Sequence, residues 1–194
     1  MVAIFSWILA GETAHAQQAS APMRLDSGMV RFFSGEWTGA GSFANGRSIT
    51  AKLSFRLTLD SAWLVCEHRD DPPGQYAATL YWGVDRTTGQ FLAYAFDNFQ
   101  GHRVFTGNFS GAGTGAVAGA RASAGADAAG HAAGASNEWR LVLTGQAFAP
   151  GVGTYYEHFI YQRIGGTQFK MSYETSLDAI TWQLGDSLVF TRKD

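Results

Sequence analysis

Very little in this sequence supports a cross-linked, highly charged or metal-built protein. There is one cysteine, Cys66, so no disulfide can form within the chain. Its setting, Trp63-Leu-Val-Cys-Glu-His68, reads as a small buried hydrophobe; a reactive thiol needs a neighbouring cation or a helix N-terminus. Charged residues are only 15% and nearly balanced at a net −2, with no basic face, so nucleic acid is not an expected partner. No apolar run reaches the roughly 18 residues that a membrane-spanning helix requires. The Gly-x-Ser-x-Gly elbow of serine hydrolases and the ligand spacings of zinc sites are both missing. No metal is therefore expected. The run Gly111-Ala-Gly-Thr-Gly115 lacks the Lys-Ser/Thr that a phosphate loop needs.

What is present favours strands. Hydrophobic residues make up 46% and aromatics 14%, with six Trp, seven Tyr and 14 Phe; large aromatic side chains suit a pleated, half-buried surface. A length of 194 residues fits one domain. At the N-terminus an apolar stretch over residues 2–10 precedes Ala14-His15-Ala16 and Gln17, the pattern of a secretory signal and its cleavage site. No Lys or Arg stands before the apolar stretch, which departs from that pattern. The expectation is a signal peptide over residues 1–16, a linker over 17–26 and one domain over 27–194, in a periplasmic or secreted bacterial protein.

Within that domain residues 27–34 read as a short helix, with Met29, Val30, Phe32 and Phe33 on one side. Strands and turns follow. The clearest strand is 49–59, where Ile49, Ala51, Leu53, Phe55, Leu57 and Leu59 alternate with polar residues and predict one buried face. Looser alternation predicts strands at 36–43, 62–69, 76–84, 91–99, 103–109, 138–145, 154–164, 167–175 and 181–192. Asn45-Gly46, Asp70-Asp-Pro-Pro-Gly74 and Asp85-Arg-Thr-Thr-Gly89 supply turn chemistry between them. No amphipathic helices separate the strands, so parallel crossovers are excluded. The fold class is all-β: a single antiparallel up-and-down barrel of about 8–10 strands with a short N-terminal helix. Residues 111–137, almost entirely Ala, Gly and Ser, read as a flexible loop between two strands.

Two stretches carry a family likeness. Phe33-Ser-Gly35-Glu-Trp37-Thr-Gly-Ala-Gly41 resembles the opening strand of lipocalin-like (calycin) barrels, where Gly-x-Trp follows a short helix. The C-terminal stretch, Gln168-Phe-Lys-Met-Ser-Tyr173 through Ser176-Leu-Asp178, Trp182 and Phe190-Thr-Arg192, is similar to the ending of a family of small secreted bacterial proteins of unknown function. So is Tyr81-Trp-Gly-Val-Asp85 with Thr88-Gly-Gln-Phe91. Ala179 stands where the family's turn often has Gly. The resemblance implies a barrel closed at one end by Trp37, with Arg192 stacked across it as a structural plug. It implies a fold and no particular reaction.

Strand parity then selects site candidates. From Tyr155 to Arg163 the more aromatic face holds Tyr155, Phe159 and Tyr161 together with Glu157. That face is the expected interior, and it places a carboxylate among aromatic rings. In the last strand Trp182, Leu184, Leu188 and Phe190 share a face with Asp186 and Arg192. Along 62–69 two faces compete: Trp63, Val65, Glu67 and Arg69 against Leu64, Cys66 and His68. The expected ligand-binding set is Trp82, Phe105, Trp139, Tyr155, Glu157, Phe159, Tyr173 and Trp182. The leading functional expectation is a binding protein for a small apolar or amphipathic molecule held in the barrel. The alternative is an isomerase, cyclase or hydratase on the same barrel, using an interior Glu, Glu157 or Glu67, with a Tyr or a His such as His68. No cofactor is expected. A haem needs one axial histidine, which the histidine count alone leaves open.

Overall fold

The computed structural model describes residues 23–111 and 139–194. The expected signal peptide, most of the linker and nearly all of the Ala/Gly-rich loop lie outside them. The described chain is all-β apart from one short helix, and its ten strands close into a single barrel. Helix α1 (Ser27–Phe33) comes first. The strands are β1 (Gly35–Phe43), β2 (Ser48–Thr58), β3 (Trp63–Asp70), β4 (Ala77–Val84) and β5 (Phe91–Asp97), then β6 (His102–Gly111), β7 (Trp139–Ala149), β8 (Gly153–Arg163), β9 (Gln168–Ser176) and β10 (Gln183–Arg192). Every strand pairs with its sequence neighbours, and β10 returns to pair with β1, so no strand edge is left open. This is the up-and-down barrel that the alternating pattern predicts.

Local chemistry sets the boundaries. Asp26 caps α1 by accepting from the Met29 backbone N–H at 2.8 Å. Residues 23–26 are more than a tether, because Leu25 is buried in the core. Gly46 turns the chain from β1 to β2 with φ 81°, a conformation open to glycine without a Cβ penalty. Asp85 Oδ1 accepts from the Thr87 and Thr88 backbone N–H groups at 2.9 and 2.7 Å and pins the turn between β4 and β5.

The two ends of the barrel differ. The end where β1 begins is filled: α1 inserts Phe32 and Phe33 among Trp37, Trp82, Trp139 and Phe169, with ring centroids about 5 Å apart. The expected alternation of 49–59 holds through Phe55 and then stops mattering, because Leu57 and Leu59 are 41% and 67% exposed. There β2 runs past the packed interior. At the opposite end, where β1 meets β2 and β9 meets β10, charged and polar side chains stand among the aromatics.

Candidate functional site

The polar end is built around one carboxylate. Glu157, on the inward face of β8, is 0% exposed. Arg103 Nη1 donates to its Oε1 at 3.0 Å and the Tyr173 hydroxyl donates to the same oxygen at 2.7 Å. Arg103, from β6, also donates through Nη2 to Asp97 Oδ2 at 2.6 Å and to the Tyr76 hydroxyl at 3.0 Å. One guanidinium thus joins β4's approach, β5, β6 and β8. Burial and the Glu157 charge hold the Tyr173 hydroxyl well above the usual tyrosine range, so it donates rather than ionises. Burial likewise raises Tyr76.

Beside this network lies a chamber of about 260 Å³. Phe43, Ile49, Phe159, Met171 and Leu188 form its apolar wall. Tyr76, Arg103 and Tyr173 face it from the network, and His68, Asp70 and Asp186 face it from β3 and β10. His68 Nε2 lies 2.9 Å from Asp70 Oδ1, both side chains being buried. Burial pushes the Asp186 carboxyl up to about 6, against the pull of His68 and helped by the Asp70 charge. Three polar atoms of this region are buried without a protein partner: Asp186 Oδ1, Arg103 Nε and Glu157 Oε2. A wider groove of about 620 Å³ opens at the same end, lined by Tyr155, Thr175, Asp178 and Gln183, and it shares Tyr173 with the chamber.

The structure brings together only part of the expected ligand-binding set. Glu157, Phe159 and Tyr173 meet in the chamber and its network, and Tyr155 lines the groove outside it. Trp82, Phe105 and Trp139 do not line the chamber. They are packed core: α1 fills the space beside Trp82 and Trp139, where Trp82 touches Phe33, Phe55 and Tyr161 and Trp139 touches Phe32 and Phe109, while Phe105 is buried against Phe159. Trp182 is outside the barrel, its ring 3.3 Å from that of His158 and nearly parallel. A register shift between Leu184 and Asp186 inverts the parity of β10, so Asp186, Leu188 and Phe190 face inward while Trp182 and Leu184 do not. The two competing faces of β3 resolve in favour of Leu64, Cys66 and His68; Glu67 is on the outside, paired with Arg56 at 3.2 Å. Burial pushes the Cys66 thiol up, as suits an unreactive core residue.

Four members of the site and its network had no place among the sequence candidates: Arg103, Tyr76, Asp70 and Asp97. Arg103 has the parity of Phe105 and Phe109 in β6, and Tyr76 that of Leu80 and Trp82 in β4. That parity was the available signal. At the opposite end the Arg192 Cζ lies 4.6 Å from the centre of the Trp37 ring. No helix among the described residues is long and apolar enough to cross a membrane.

Neither a protein family nor a curated protein matches the sequence. Solved structures do resemble the fold. The crystal structure of Rv2717c from M. tuberculosis superposes with a TM-score of 0.54 at 16% identity, covering 86% of this chain and 96% of that one. A redesigned β-barrel, mFAP1, bound to DFHBI, gives a TM-score of 0.36 at 11% identity over 84% of this chain and 97% of that one. At 16% identity the likeness to Rv2717c is one of barrel architecture.

Proposed function

We propose that the protein binds a small amphipathic molecule through the open end of the barrel, with the ligand's apolar part in the chamber. The observation that carries this reading is the space of about 260 Å³ with both an apolar wall and partnerless buried polar atoms, Asp186 Oδ1 and Arg103 Nε. A folding core has no use for either feature, since buried polar groups are ordinarily paired and interiors are close-packed. Ligand sites combine them: mostly apolar lining with a few convergent polar groups. The resemblance to lipocalin-like barrels of small secreted bacterial proteins supports the same reading. Export to the periplasm or medium belongs to it, on the Ala14-His15-Ala16 motif. The enzymic alternative finds less support, because Glu157 Oε1 already serves Arg103 and Tyr173, and Glu67 is outside.

Native mass spectrometry of protein purified from its own cells tests the proposal. The expected result is a retained small molecule that is lost in Leu188→Trp, where the larger ring fills the chamber. Ile49→Phe serves the same purpose from β2, on the other side of β1, if the first variant does not fold. No retained molecule, together with no thermal stabilisation by a panel of small amphiphiles, overturns the reading.

A further inference from the structure

The groups that face the chamber are not electrically balanced. Arg103 is shared between two carboxylates, Glu157 and Asp97. Asp70 is met by His68. Asp186 has neither a guanidinium nor an ammonium against it, and its Oδ1 has no partner. Four carboxylates therefore share one guanidinium and one imidazole at the same buried end of the barrel. Even with both His68 nitrogens protonated, negative charge exceeds positive.

That imbalance discriminates among amphiphiles. An alkyl or aryl carboxylate would add a further negative charge in a region where water screens poorly, and both Arg103 Nη atoms are already engaged. A neutral alcohol would satisfy the open acceptor on Asp186 but leave the charge uncompensated. A protonated amine does both: it donates to the orphaned oxygen and neutralises the carboxylate. The position of Asp186 suits this, with Leu188 next to it on the inward face and Met171 and Tyr173 opposite on β9. The chamber's volume lies just below the roughly 300–1,000 Å³ of ordinary ligand pockets, which limits the ligand to one ring or a short alkyl chain.

We propose that the chamber selects a small cationic amphiphile, a primary or secondary ammonium on an apolar body, with the ammonium held by Asp186. This rests on the ligand-binding reading of the same chamber. The apolar body lies along Ile49, Phe159, Met171 and Leu188, and the charged head faces Asp186 with the Asp70–His68 pair beside it. Titratable groups reach this point from β3 (His68, Asp70), β6 (Arg103), β9 (Tyr173) and the approach to β4 (Tyr76).

Titration calorimetry at neutral pH with three matched probes, 2-phenylethylamine, 2-phenylethanol and phenylacetate, tests it. The amine is expected to bind at least about tenfold more tightly than the alcohol, and the acid more weakly than either. Asp186→Asn should weaken amine binding by about tenfold or more and leave the alcohol within about threefold. Because the substitution removes a buried charge, the variant should fold, and thermal unfolding checks that it does. If alcohol and acid bind the wild type and the amine shows no preference, or if Asp186→Asn leaves the preference intact, the cationic assignment falls while the chamber remains a ligand site. If none of the three binds at millimolar concentration, the assignment falls together with the reading beneath it.

Discussion

Trp37 and Arg192 are paired across the seam where the barrel closes: they are register partners on β1 and β10, and both donate to the backbone carbonyls that end helix α1. Trp37 Nε1 donates to the Phe33 carbonyl at 2.7 Å, and Arg192 Nη1 to the Ser34 carbonyl at 2.6 Å, while its Nη2 reaches the Phe32 carbonyl. The last carbonyls of a helix have no partners within the helix. Here a stacked guanidinium and indole supply them, and a cation at a helix C-terminus is also favoured by the helix dipole. The pair therefore holds α1 in the barrel as a plug, and α1 in turn fills one half of the interior.

Trp37→Ala should accordingly cost about 3–5 kcal/mol, as for other buried aromatics. Arg192→Lys should cost about 1–2 kcal/mol, because one ammonium cannot stack on the indole and serve several carbonyls as the planar fork does. Urea unfolding measures both. A loss below about 1 kcal/mol for Trp37→Ala would remove the case for α1 as an integral plug.

How far the sequence disclosed this depends on what kind of fact is asked. Alternation along β2 and the turn residues at Asn45-Gly46 and Asp85 are local, and they were enough to predict an antiparallel barrel. Parity likewise placed Glu157 inside, because β8 keeps one register throughout. Parity alone puts Trp182 on the inward face with Leu188 and Phe190, whereas the irregularity at Gly185, a property of the β9–β10 pairing and not of β10 alone, turns it outward. The aromatic face of β4 and β7 was visible, but the space it lines was not: whether Trp82 and Trp139 meet a ligand or Phe33 is decided by a helix from the other end of the chain. The network of Arg103 with Asp97 and Glu157 joins residues 54 positions apart, beyond any local pattern.

Glu157→Leu should destabilise by about 3–5 kcal/mol, the usual consequence of removing one partner of a buried ion pair. Glu157→Gln keeps an acceptor for Arg103 and Tyr173 and should cost less, about 1–3 kcal/mol. Guanidinium unfolding of the two variants gives the comparison. Equal losses would mean that shape, not charge, decides this position.

The Ser176–Thr181 turn tests the one residue that departs from its expected type. Ala179 has φ 59°, in the left-handed region, which costs an L-residue with a Cβ roughly 1–2 kcal/mol. Ala179→Gly should relieve about 0.5–1.5 kcal/mol of that, after the added freedom of the unfolded chain is subtracted. Asp178 keeps the turn in either case by accepting from the Ile180 and Thr181 N–H groups at 2.8 and 2.7 Å. A lowered midpoint in thermal unfolding would contradict the expectation.

Asp186 carries the pH dependence. Its carboxyl, pushed up to about 6 in the folded barrel, ionises near 3.9 in an unfolded chain. The folded state therefore holds the proton more strongly. The resulting stability is fully present below about pH 4 and is lost as pH rises through about 6. Asp186→Asn removes that loss. The variant should gain on the order of 1–3 kcal/mol over the wild type at neutral pH, and the gain should vanish below about pH 4. Denaturant unfolding across this range measures the difference, and a gain that grows towards low pH would reverse the sign and defeat the argument.

Trp182 separates the outer surface from the site. Its indole covers His158, whose imidazole burial holds below the usual histidine range despite Glu174 at 3.7 Å. Trp182→Ala exposes the ring to water, which removes the main cause of that depression and leaves Glu174, whose charge favours the imidazolium. The His158 pKa should therefore rise towards the usual histidine range, a change that proton NMR titration reads directly. Stability should fall by only about 1–2 kcal/mol, since the indole is half-exposed and little apolar area returns to water. Ligand affinity should stay within about twofold, because nothing on this face touches the chamber. If the substitution instead abolished binding while His158 titrated as before, the tryptophan would belong to the ligand site after all, and the register irregularity at Gly185 would not place it outside in solution.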